Sequence, residues 1–424
     1  MNVLIIGSGG RENAIAWKIS QSKLLTKLYC APGNPGTSKV AQNLQINITD
    51  FHKIKELVLQ HKIELVVVGP EEPLVNGLRD FFLADEQLRD VLFVGPCSKG
   101  ARLEGSKDFA KEFMVKYNIP TAAYSTFGPD QYPDAIEFMK SLEAPYVIKA
   151  DGLAAGKGVV IADSLDQASS DLKLILDGKF GKAGNKVVIE EFLHGIEMSL
   201  FVLTDGKNHM VLPEAKDYKR IGDGDKGPNT GGMGAVSPVP FANDEFMHKV
   251  EQNIVLPTLK GLRQEDIDYR GFLFIGLMNC NGNPYVIEYN VRMGDPETEA
   301  VMPRIKSDLL SHLIASAKGE LNKETLEKDP STALTVMLVS GGYPGEYSKG
   351  HPIEIDRQMD KKIVFHAGTT IRDGSLVTSG GRVIAITQLG SSIDECQRNI
   401  YQDVTKIRFK GMNYRKDIGN DIKE

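Results

Sequence analysis

The sequence predicts an α/β protein whose first domain is a doubly wound parallel sheet, and three observations support this. Short apolar runs alternate with amphipathic helical stretches over residues 1–105, a pattern typical of a parallel sheet with both faces covered. Each apolar run ends in a loop rich in Gly and Pro. From residue 106 the pattern changes to pairs of strands joined by Gly-rich turns, and a small α/β module follows over residues 321–424.

The first domain, expected over residues 1–105, has four predicted strands. They lie in the segments VLII, KLYCAP, ELVVV and VLFV, with one helix after the first strand and another at FHKIKELVLQHK. The loops after these strands read GSGGRE, PGNPG, GPEEP and GPCSKG. Because ligands of open α/β sheets bind at the carboxyl ends of strands, four such loops at one edge predict a small-molecule pocket.

The second module is expected over residues 106–320. The segment SKDFAKEFMVKYNIP predicts an amphipathic helix that Pro120 ends, and APYVIKADGLAAGKGVVIA predicts a strand, a Gly-rich loop and a second strand. Further strands are predicted in VVIEEFL, EMSLFVLTD and HMVLPEA, followed by a hairpin with Asn281-Gly282-Asn283 in its turn. The segment DGDKGPNTGGMGAVSP predicts a long loop.

In residues 321–424, three strands alternate with Gly-rich turns before a last helix at about residues 392–409. This part is expected to be a separate or closing C-terminal module.

The composition is that of an ordinary globular chain and argues against several classes of protein. The 424 residues are 41% apolar, and 50 basic against 56 acidic residues give a net charge of −6, which disfavours both disorder and generic nucleic-acid binding. No basic segment precedes a long apolar run, and no apolar stretch approaches the length of a membrane span, so a cytoplasmic protein without membrane contact is expected. The four cysteines form no C-x-x-C pair and the eight histidines are scattered, so neither a disulfide framework nor a His-bound metal is expected.

The first glycine cluster, residues 7–12, is similar to the dinucleotide-binding motif G-x-G-x-x-G. The third glycine of that motif is replaced by Glu12, and the acidic residue expected about 20 residues later is missing, which disfavours NAD. Amide groups at the start of a helix, together with Arg11, predict a phosphate site instead. A purely structural tight turn is the alternative.

The second cluster, KADGLAAGKG, lies at residues 149–158. A Walker A motif needs Gly where Asp151 stands and Ser or Thr where Gly158 stands, so the segment is not that motif. Its place between two strands favours a flexible hairpin that folds over phosphates, with Lys149 supplying a charge from the strand. The alternative is a plain hairpin with surface lysines.

The third segment, VIEYNVR at residues 286–292, is a predicted strand on which alternate residues share a face. Glu288, Asn290 and Arg292 therefore form one row. A carboxylate and an amide oxygen are suited to Mg²⁺ bound to phosphates, and an arginine can neutralise a transferring phosphoryl group. A solvated polar face is the alternative. The acidic strand end at residues 190–193, with Glu197, has a structural interpretation when taken alone.

Taken together, these segments resemble the ATP-grasp ligases, and most closely the phosphoribosylamine–glycine ligase family, also called glycinamide ribonucleotide synthetases. The resemblance spans nearly the whole chain, through VLIIGSGGREN, APGNPGT, VVGPEEPL, LEGSKDFAK, KADGLAAGKGV, GPNTGGMGA, VIEYNVRMGDPET, GGYPG, VFHAGT, GGRV and RKDIG. It implies a two-lobed ATP-grasp module, with a nucleotide lobe at about residues 121–192, closed by the C-terminal module. It also implies the ATP-dependent joining of glycine to 5-phosphoribosylamine through a glycyl phosphate in de novo purine biosynthesis. The expected enzyme is a monomer that uses Mg²⁺ or Mn²⁺.

The resemblance also implies roles for individual residues. The ATP phosphates would be contacted by Lys107, Lys149 and a covering loop that includes Gly152, Gly156, Lys157 and Gly158. Adenine would lie against Glu190, Glu191, Phe192 and Leu193, and the ribose hydroxyls would be held by Glu197. The metal would be bound by Glu288 and Asn290, and phosphoribosylamine by Gly9, Gly10, Arg11, Glu12, Gly33 and Asn34. The catalytic residues at the glycine end would be Asp217, Arg292 and Asp295.

The chain departs from the family at Lys216 and Tyr218, where members commonly carry Gln and His, so no role is transferred to these two residues. Three other interpretations remain open: another ATP-grasp carboxylate-activating enzyme of the same pathway, an NAD-dependent oxidoreductase, and a non-catalytic nucleotide-binding protein. Glu12 argues against the second. The intact Lys149, Glu288 and Asn290 argue against the third.

Overall fold

The structure is a computed structural model that describes residues 1–153, 158–179 and 181–423, with the backbone alone at 182 and 183. The strands are β1 Asn2–Gly7, β2 Lys27–Pro32, β3 Gln42–Asn43, β4 Leu65–Val68, β5 Leu92–Val94, β6 Tyr124–Phe127, β7 Tyr146–Ala150, β8 Val159–Ala162, β9 Val187–Glu191, β10 Ile196–Thr204, β11 His209–Val211, β12 Lys216–Asp217, β13 Arg220–Gly222, β14 Lys226–Asn229, β15 Gly234–Ser237, β16 Gly271–Cys280, β17 Asn283–Asn290, β18 Thr332–Val339, β19 Glu354–Ile355, β20 Ile363–His366, β21 Thr369–Arg372, β22 Ser375–Thr378, β23 Arg382–Gly390 and β24 Ile407–Arg408. The helices are α1 Gly10–Ile19, α2 Phe51–Gln60, α3 Glu71–Val75, α4 Leu78–Ala84, α5 Ser98–Gly105, α6 Lys107–Lys116, α7 Tyr132–Lys140, α8 Leu165–Leu174, α9 Asp244–Val250, α10 Leu256–Gln264, α11 Glu297–Val301, α12 Leu309–Lys318 and α13 Ile393–Val404.

The N-terminal sheet is parallel throughout and has the order β3-β2-β1-β4-β5. Side chains of the central strand β1 alternate between two cores: Leu4 and Ile6 join one, and Val3 and Ile5 join the other. The two-residue period of a strand therefore covers both faces of the sheet. This confirms the predicted doubly wound α/β domain, with β3 as an additional strand too short and polar to leave a pattern.

The second module has two antiparallel sheets, which correspond to the two predicted lobes. Strands β6, β9, β7 and β8 form one sheet, over the residues where the nucleotide lobe is expected, and β11, β10, β16 and β17 form the other. The hairpin between β16 and β17 turns at Asn281 and Gly282, whose φ angles of 52° and 81° suit the predicted Asn-Gly turn. The helix α6 ends at Lys116, before the predicted stop at Pro120, because Asn118 leaves the helical region with φ 54°.

The predicted long loop at residues 223–238 is wrong in part. Strand β14 lies inside this segment and pairs with β13, which precedes it. Strand β15 also lies inside it and joins the C-terminal sheet, whose order is β12-β15-β18-β23-β20. Strand β15 reads GAVS, is buried along its whole length, and is too short and rich in small residues to show periodicity. Because β12 and β15 come from the second module, the C-terminal segment shares its sheet with that module and is not separate from it.

In the described part of the chain, no helix combines the length and the apolar character needed to cross a membrane. The four cysteines are free thiols, with Cys30 and Cys396 buried.

Candidate active site

A cleft of about 480 Å³ lies between the two lobes of the second module, below helix α6. It brings together most of the predicted site residues: Arg11, Lys107, Lys149, Gly152, Gly158, Glu190, Glu191, Phe192, Leu193, Glu197, Asp217, Glu288, Asn290, Arg292 and Asp295. The predicted loop residues Gly156 and Lys157 lie outside the described residues.

One end of the cleft contains a buried group of two lysines and one glutamate. The ammonium of Lys149 lies 2.7 Å from Glu190 Oε1, and that of Lys111 lies 2.8 Å from Glu190 Oε2. All three side chains are at most 4% exposed. Burial lowers the pKa of Lys111 to about 8, although Glu190 acts in the opposite direction. Glu190 thus fixes two cations at the cleft wall, a role that the sequence did not predict for it.

Lys107 completes this cationic end. Its ammonium donates a hydrogen bond to the carbonyl of Gly152 at 3.1 Å, at the start of the glycine-rich loop. Burial lowers the pKa of Lys107 below its ordinary value, and the charge of Lys149 lowers it further. Strand β7 carries Lys149 and helix α6 carries Lys107 and Lys111, so two elements converge on one volume that suits a polyphosphate.

Residues 190–193 are the segment expected to lie against adenine, called the hinge below. The cleft wall beside this hinge is largely apolar. The carboxylate of Glu191 accepts a hydrogen bond from the amide of Ala123 at 2.8 Å, which holds the hinge to the neighbouring chain. The apolar lining side chains here are Leu103, Met114, Val147, Val159, Ile161, Met278 and Ile287. An apolar wall of this kind suits a heteroaromatic base.

Glu288 and Asn290 project into the cleft from β17, as the predicted row requires. The amide of Asn290 donates to Glu288 Oε1 at 3.4 Å, so the two side chains lie side by side. Burial alone would raise the pKa of Glu288, but the ammonium groups of Lys219, Lys149 and Lys107 lower it below its ordinary value. Glu288 is therefore an ionised, partly buried carboxylate in the cleft.

Lys219 is a functional candidate that sequence reasoning left out. Its ammonium lies 2.6 Å from Glu197 Oε2 and 4.0 Å from Asp217 Oδ2. Burial opposes its charge, yet Asp217, Glu197 and Glu288 together raise the pKa of Lys219 well above its ordinary range. Burial raises the pKa of Asp217 in spite of this partner. The signal was present, because Lys219 follows Asp217 by two residues on the same extended segment.

Arg292 lies between two carboxylates of the N-terminal domain, Glu71 on α3 and Glu104 on α5. Its guanidinium lies 2.6 Å from Glu104 Oε1 and 3.3 Å from Glu71 Oε2. Glu104 also accepts the amide hydrogen of Val291 at 2.8 Å, and burial raises the pKa of Glu104 to about 7. These contacts fix the strand end that carries the predicted metal and catalytic residues.

A second, more open cavity lies at the carboxyl edge of the N-terminal sheet. Four predicted residues line it, Gly9, Gly33, Asn34 and Asp295, together with Ser8, Ser38 and the C-terminal residues Thr369, Thr370, Ser379 and Arg382. The amide of Asn34 donates to the carbonyls of Ser8 at 2.8 Å and His366 at 2.7 Å, so it ties the N-terminal loop to the C-terminal module. Two of the four predicted strand-end loops form this cavity.

Arg11, Glu12 and Gly10 lie outside this second cavity. Glu12 accepts the amide hydrogen of Gly9 and lies 2.6 Å from the guanidinium of Arg11, which also donates to the carbonyl of Met293. The amide of Arg11 faces Asp295 at 3.4 Å. Two amide groups at this helix start thus point at carboxylates in the structure.

Sequence reasoning also missed Lys111 and Arg382. Lys111 is four residues beyond Lys107 on α6, and this helical spacing places both lysines on the same face. Arg382 lies in the segment GGRV, which was noted only as part of the resemblance.

Comparisons with known proteins agree over the full length of the chain. Family models of phosphoribosylglycinamide synthetase match its N domain at residues 1–104, its ATP-grasp domain at residues 105–298 and its C domain at residues 333–421. The chain is 44% identical over 419 residues to the phosphoribosylamine–glycine ligase of Caldanaerobacter subterraneus, with 99% of each covered. It is 46% identical to the enzyme of that name from Pseudomonas aeruginosa, covering 99% of this chain and 97% of the relative.

Solved structures give the same result. The crystal structure of the Thermotoga maritima phosphoribosylamine–glycine ligase matches with a TM-score of 0.86 and 37% identity, over 99% of this chain and 100% of that one. A biotin carboxylase domain from Hydrogenobacter thermophilus matches with a TM-score of 0.71 at 17% identity, which shows the shared fold alone. The chain therefore belongs to the phosphoribosylglycinamide synthetase family of ATP-grasp ligases.

Proposed function

We propose that this ligase joins glycine to 5-phosphoribosylamine at the expense of ATP, giving glycinamide ribonucleotide, ADP and phosphate, as a step of de novo purine biosynthesis. The observation that supports this proposal most is that two cavities lie side by side and share lining residues. One contains lysines beside a carboxylate and an amide, and the other is lined by loops and hydroxyls. A nucleotide and an amine substrate thus have separate places that share a boundary.

The reaction proceeds in two steps. A carboxylate oxygen of glycine attacks the γ-phosphorus of ATP, the bond to the bridging oxygen breaks, and ADP leaves. The amine nitrogen then attacks the carbonyl carbon of glycyl phosphate, the bond to the phosphate oxygen breaks, and the nitrogen loses one proton as the amide forms. The protein contributes mainly positions and charges to such transfers.

The cleft offers groups for each part of ATP. The phosphates would be held by Lys107 and Lys149, under the loop that runs from Gly152 to Gly158. The segment Glu190 to Leu193 would lie against adenine, with Glu190 acting through the lysines that it pairs. Glu197 would hold the ribose hydroxyls after exchanging its contact with Lys219.

The cleft residues also fit a divalent metal, Mg²⁺ or Mn²⁺. Glu288 supplies a carboxylate, and Asn290 supplies an amide oxygen once its side chain is turned. In the described part of the chain, no group of three or more His, Cys, Asp or Glu side chains is arranged to hold an ion. The nucleotide phosphates would therefore complete the coordination, as is usual for Mg²⁺. When bound, the ion would neutralise charge on the phosphates.

Phosphoribosylamine would occupy the second cavity, against Gly9, Gly33 and Asn34. Asp217, Arg292 and Asp295 would act at the glycine end, since all three line the cleft and Asp295 also lines this cavity. Gly10, Arg11 and Glu12, which follow Gly9 at the start of α1, would also contribute to binding this substrate.

The chain would work through three units, residues 1–105, 106–320 and 321–424, as a cytoplasmic monomer. The monomer is supported by the fact that one chain supplies residues to both cavities.

Phosphate release from ATP tests the proposal. Release should require both glycine and freshly generated phosphoribosylamine, and omission of either should reduce it to background. Release that depends on bicarbonate instead of glycine would identify another ATP-grasp carboxylate-activating enzyme. Tight NAD binding without such release would favour the oxidoreductase.

A further inference from the structure

Two residues, Asp295 and Arg382, stand between the two cavities. Within the described residues, they are the pair that lines both the nucleotide cleft and the second cavity. Asp295 follows the strand β17 with the metal-site residues, and Arg382 begins β23 in the C-terminal module. The boundary between the two cavities is thus an ion pair formed by different parts of the chain.

The pair is held by contacts that leave it little freedom. Arg382 Nη2 lies 3.0 Å from Asp295 Oδ1, and Nη1 donates to the main-chain carbonyl of Asp295 at 2.6 Å and to that of Gly231. The amide of Gly231 donates in turn to the hydroxyl of Tyr343 at 2.8 Å. One planar guanidinium therefore joins three chain segments, a task that suits its forked geometry.

Glu299 lies behind Asp295 and supports it from the buried side. Its side chain is fully buried, and neither of its oxygens has a hydrogen-bond partner among the described residues. It packs against Gly10, where a Cβ atom would overlap the Glu299 carboxyl. Burial raises the pKa of Glu299 well above its ordinary range, and the charge of Asp295 adds to this. Burial would raise the pKa of Asp295, but the charges of Arg382 and Arg11 hold it below its ordinary value.

We propose that Arg382 is a positioning residue. With Asp295 it forms a partition at the boundary of the two cavities, which keeps water away from the activated carboxyl group while the amine reaches it. This inference rests on the proposed function. An acyl phosphate hydrolyses if water reaches its carbonyl carbon, and exclusion of water is a recognised reason to close such a site. The Arg382 side chain is 20% exposed and that of Asp295 is 13% exposed, so most of each side chain fills the space between the cavities and a small part faces them.

If Arg382 has this role, its loss uncouples phosphate release from product formation. Glycyl phosphate lost to water releases phosphate and glycine, with no product, so the ratio of phosphate to glycinamide ribonucleotide rises above one. A residue with a merely structural role changes the amount of folded enzyme and leaves this ratio unchanged. The ratio therefore separates the two roles.

The experiment compares Arg382→Ala and Arg382→Lys with the control Arg304→Ala, using ATP, glycine and fresh phosphoribosylamine. Arg304 is also buried, and it donates to the carbonyl of Ser331 at 2.8 Å and to the hydroxyl of Ser237 at 2.7 Å. It lines neither cavity, so it controls for the loss of an arginine that hydrogen-bonds separate chain segments away from the substrates. Phosphate and ligated product are measured in the same samples, with thermal unfolding as the check on folding.

We expect one phosphate per product for the wild type and Arg304→Ala, a severalfold higher ratio for Arg382→Ala, and an intermediate ratio for Arg382→Lys. The KM for ATP should stay near the wild-type value because other residues hold the phosphates. A ratio of one in folded Arg382→Ala, or an equal rise in Arg304→Ala, would overturn the partition. If Arg382→Ala does not fold, Arg382→Lys decides by the same criterion. Phosphate release by the wild-type enzyme that does not depend on glycine would refute the proposed function itself.

Discussion

Replacing Glu288 by Gln tests the centre of the proposed chemistry. The change removes one negative charge and keeps the shape of the side chain. Glu288 is ionised in the folded protein because three lysines, Lys219, Lys149 and Lys107, lower its pKa against the effect of burial. The substitution therefore removes a full charge at the position where a metal and the transferring phosphoryl group would meet.

The magnitude follows from the role of a preorganised charge in a site shielded from water. Loss of one such partner typically lowers turnover by ~10²- to 10³-fold, about 2.7–4 kcal/mol in the transition state. We expect Glu288→Gln to fall in this range. Asn290→Ala should lose less, because water can replace a neutral ligand of Mg²⁺.

The assay is phosphate release at saturating substrates over a series of Mg²⁺ and Mn²⁺ concentrations. High metal should partly restore Asn290→Ala and restore Glu288→Gln poorly. Glu214→Gln is the matched control, because Glu214 is buried and accepts the amide hydrogen of Val239 at 3.3 Å but is absent from the cleft lining. Near-wild-type turnover of Glu288→Gln at low metal would refute the site and most of the mechanism.

Three further expectations can be tested on single variants. Lys149→Met should fold, because Glu190 keeps its ion pair with Lys111. The variant should bind an ATP analogue more weakly than the wild type when measured by calorimetry, and unchanged affinity would contradict the phosphate-binding role of Lys149. Gly152→Ala should reduce turnover and lower the melting temperature, because φ 143° costs a non-glycine residue about 1–3 kcal/mol, and a variant equal to wild type in both would refute this. Burial, with the charge of Asp217, raises the pKa of Glu297 from 4.5 to about 7. The contribution of Glu297 to the stability of the fold is therefore present below pH 4.5 and is lost as the pH rises through about 7. Glu297→Gln should therefore gain stability relative to wild type as pH rises across that window, and a pH-independent difference in melting temperature would count against the shift.

Much of the fold could be predicted because its elements leave strong local patterns. The apolar runs of the parallel strands and the Asn-Gly turn at Asn281 are determined by neighbouring residues, and the structure contains both. Strand β15 could not be predicted, because its four small residues become a strand only through pairing with β18, far away in sequence. That pairing also joins the second and third modules into one sheet.

The site shows the same limit. The row of Glu288 and Asn290 followed from strand periodicity, and the lysine of the Gly-rich hairpin followed from its loop. Glu190 was placed with the hinge because the resemblance concerns the backbone there, whereas its side chain points at Lys149 and Lys111. Contacts that join distant parts of the chain have no signature in a local segment.

The pairing of the cleft lysines suggests a division of labour for nucleotide binding. Lys149 is fixed by Glu190 and by a hydrogen bond to the carbonyl of Ile287 at 3.1 Å, so its position is set before ATP arrives. Lys107, by contrast, makes no ion pair among the described residues and holds only the carbonyl of Gly152. A cation held by one neutral acceptor can transfer to a phosphate at small cost, because a charge-assisted bond replaces a weaker one. Movement of Lys107 onto the nucleotide would release the carbonyl of Gly152 at the same moment.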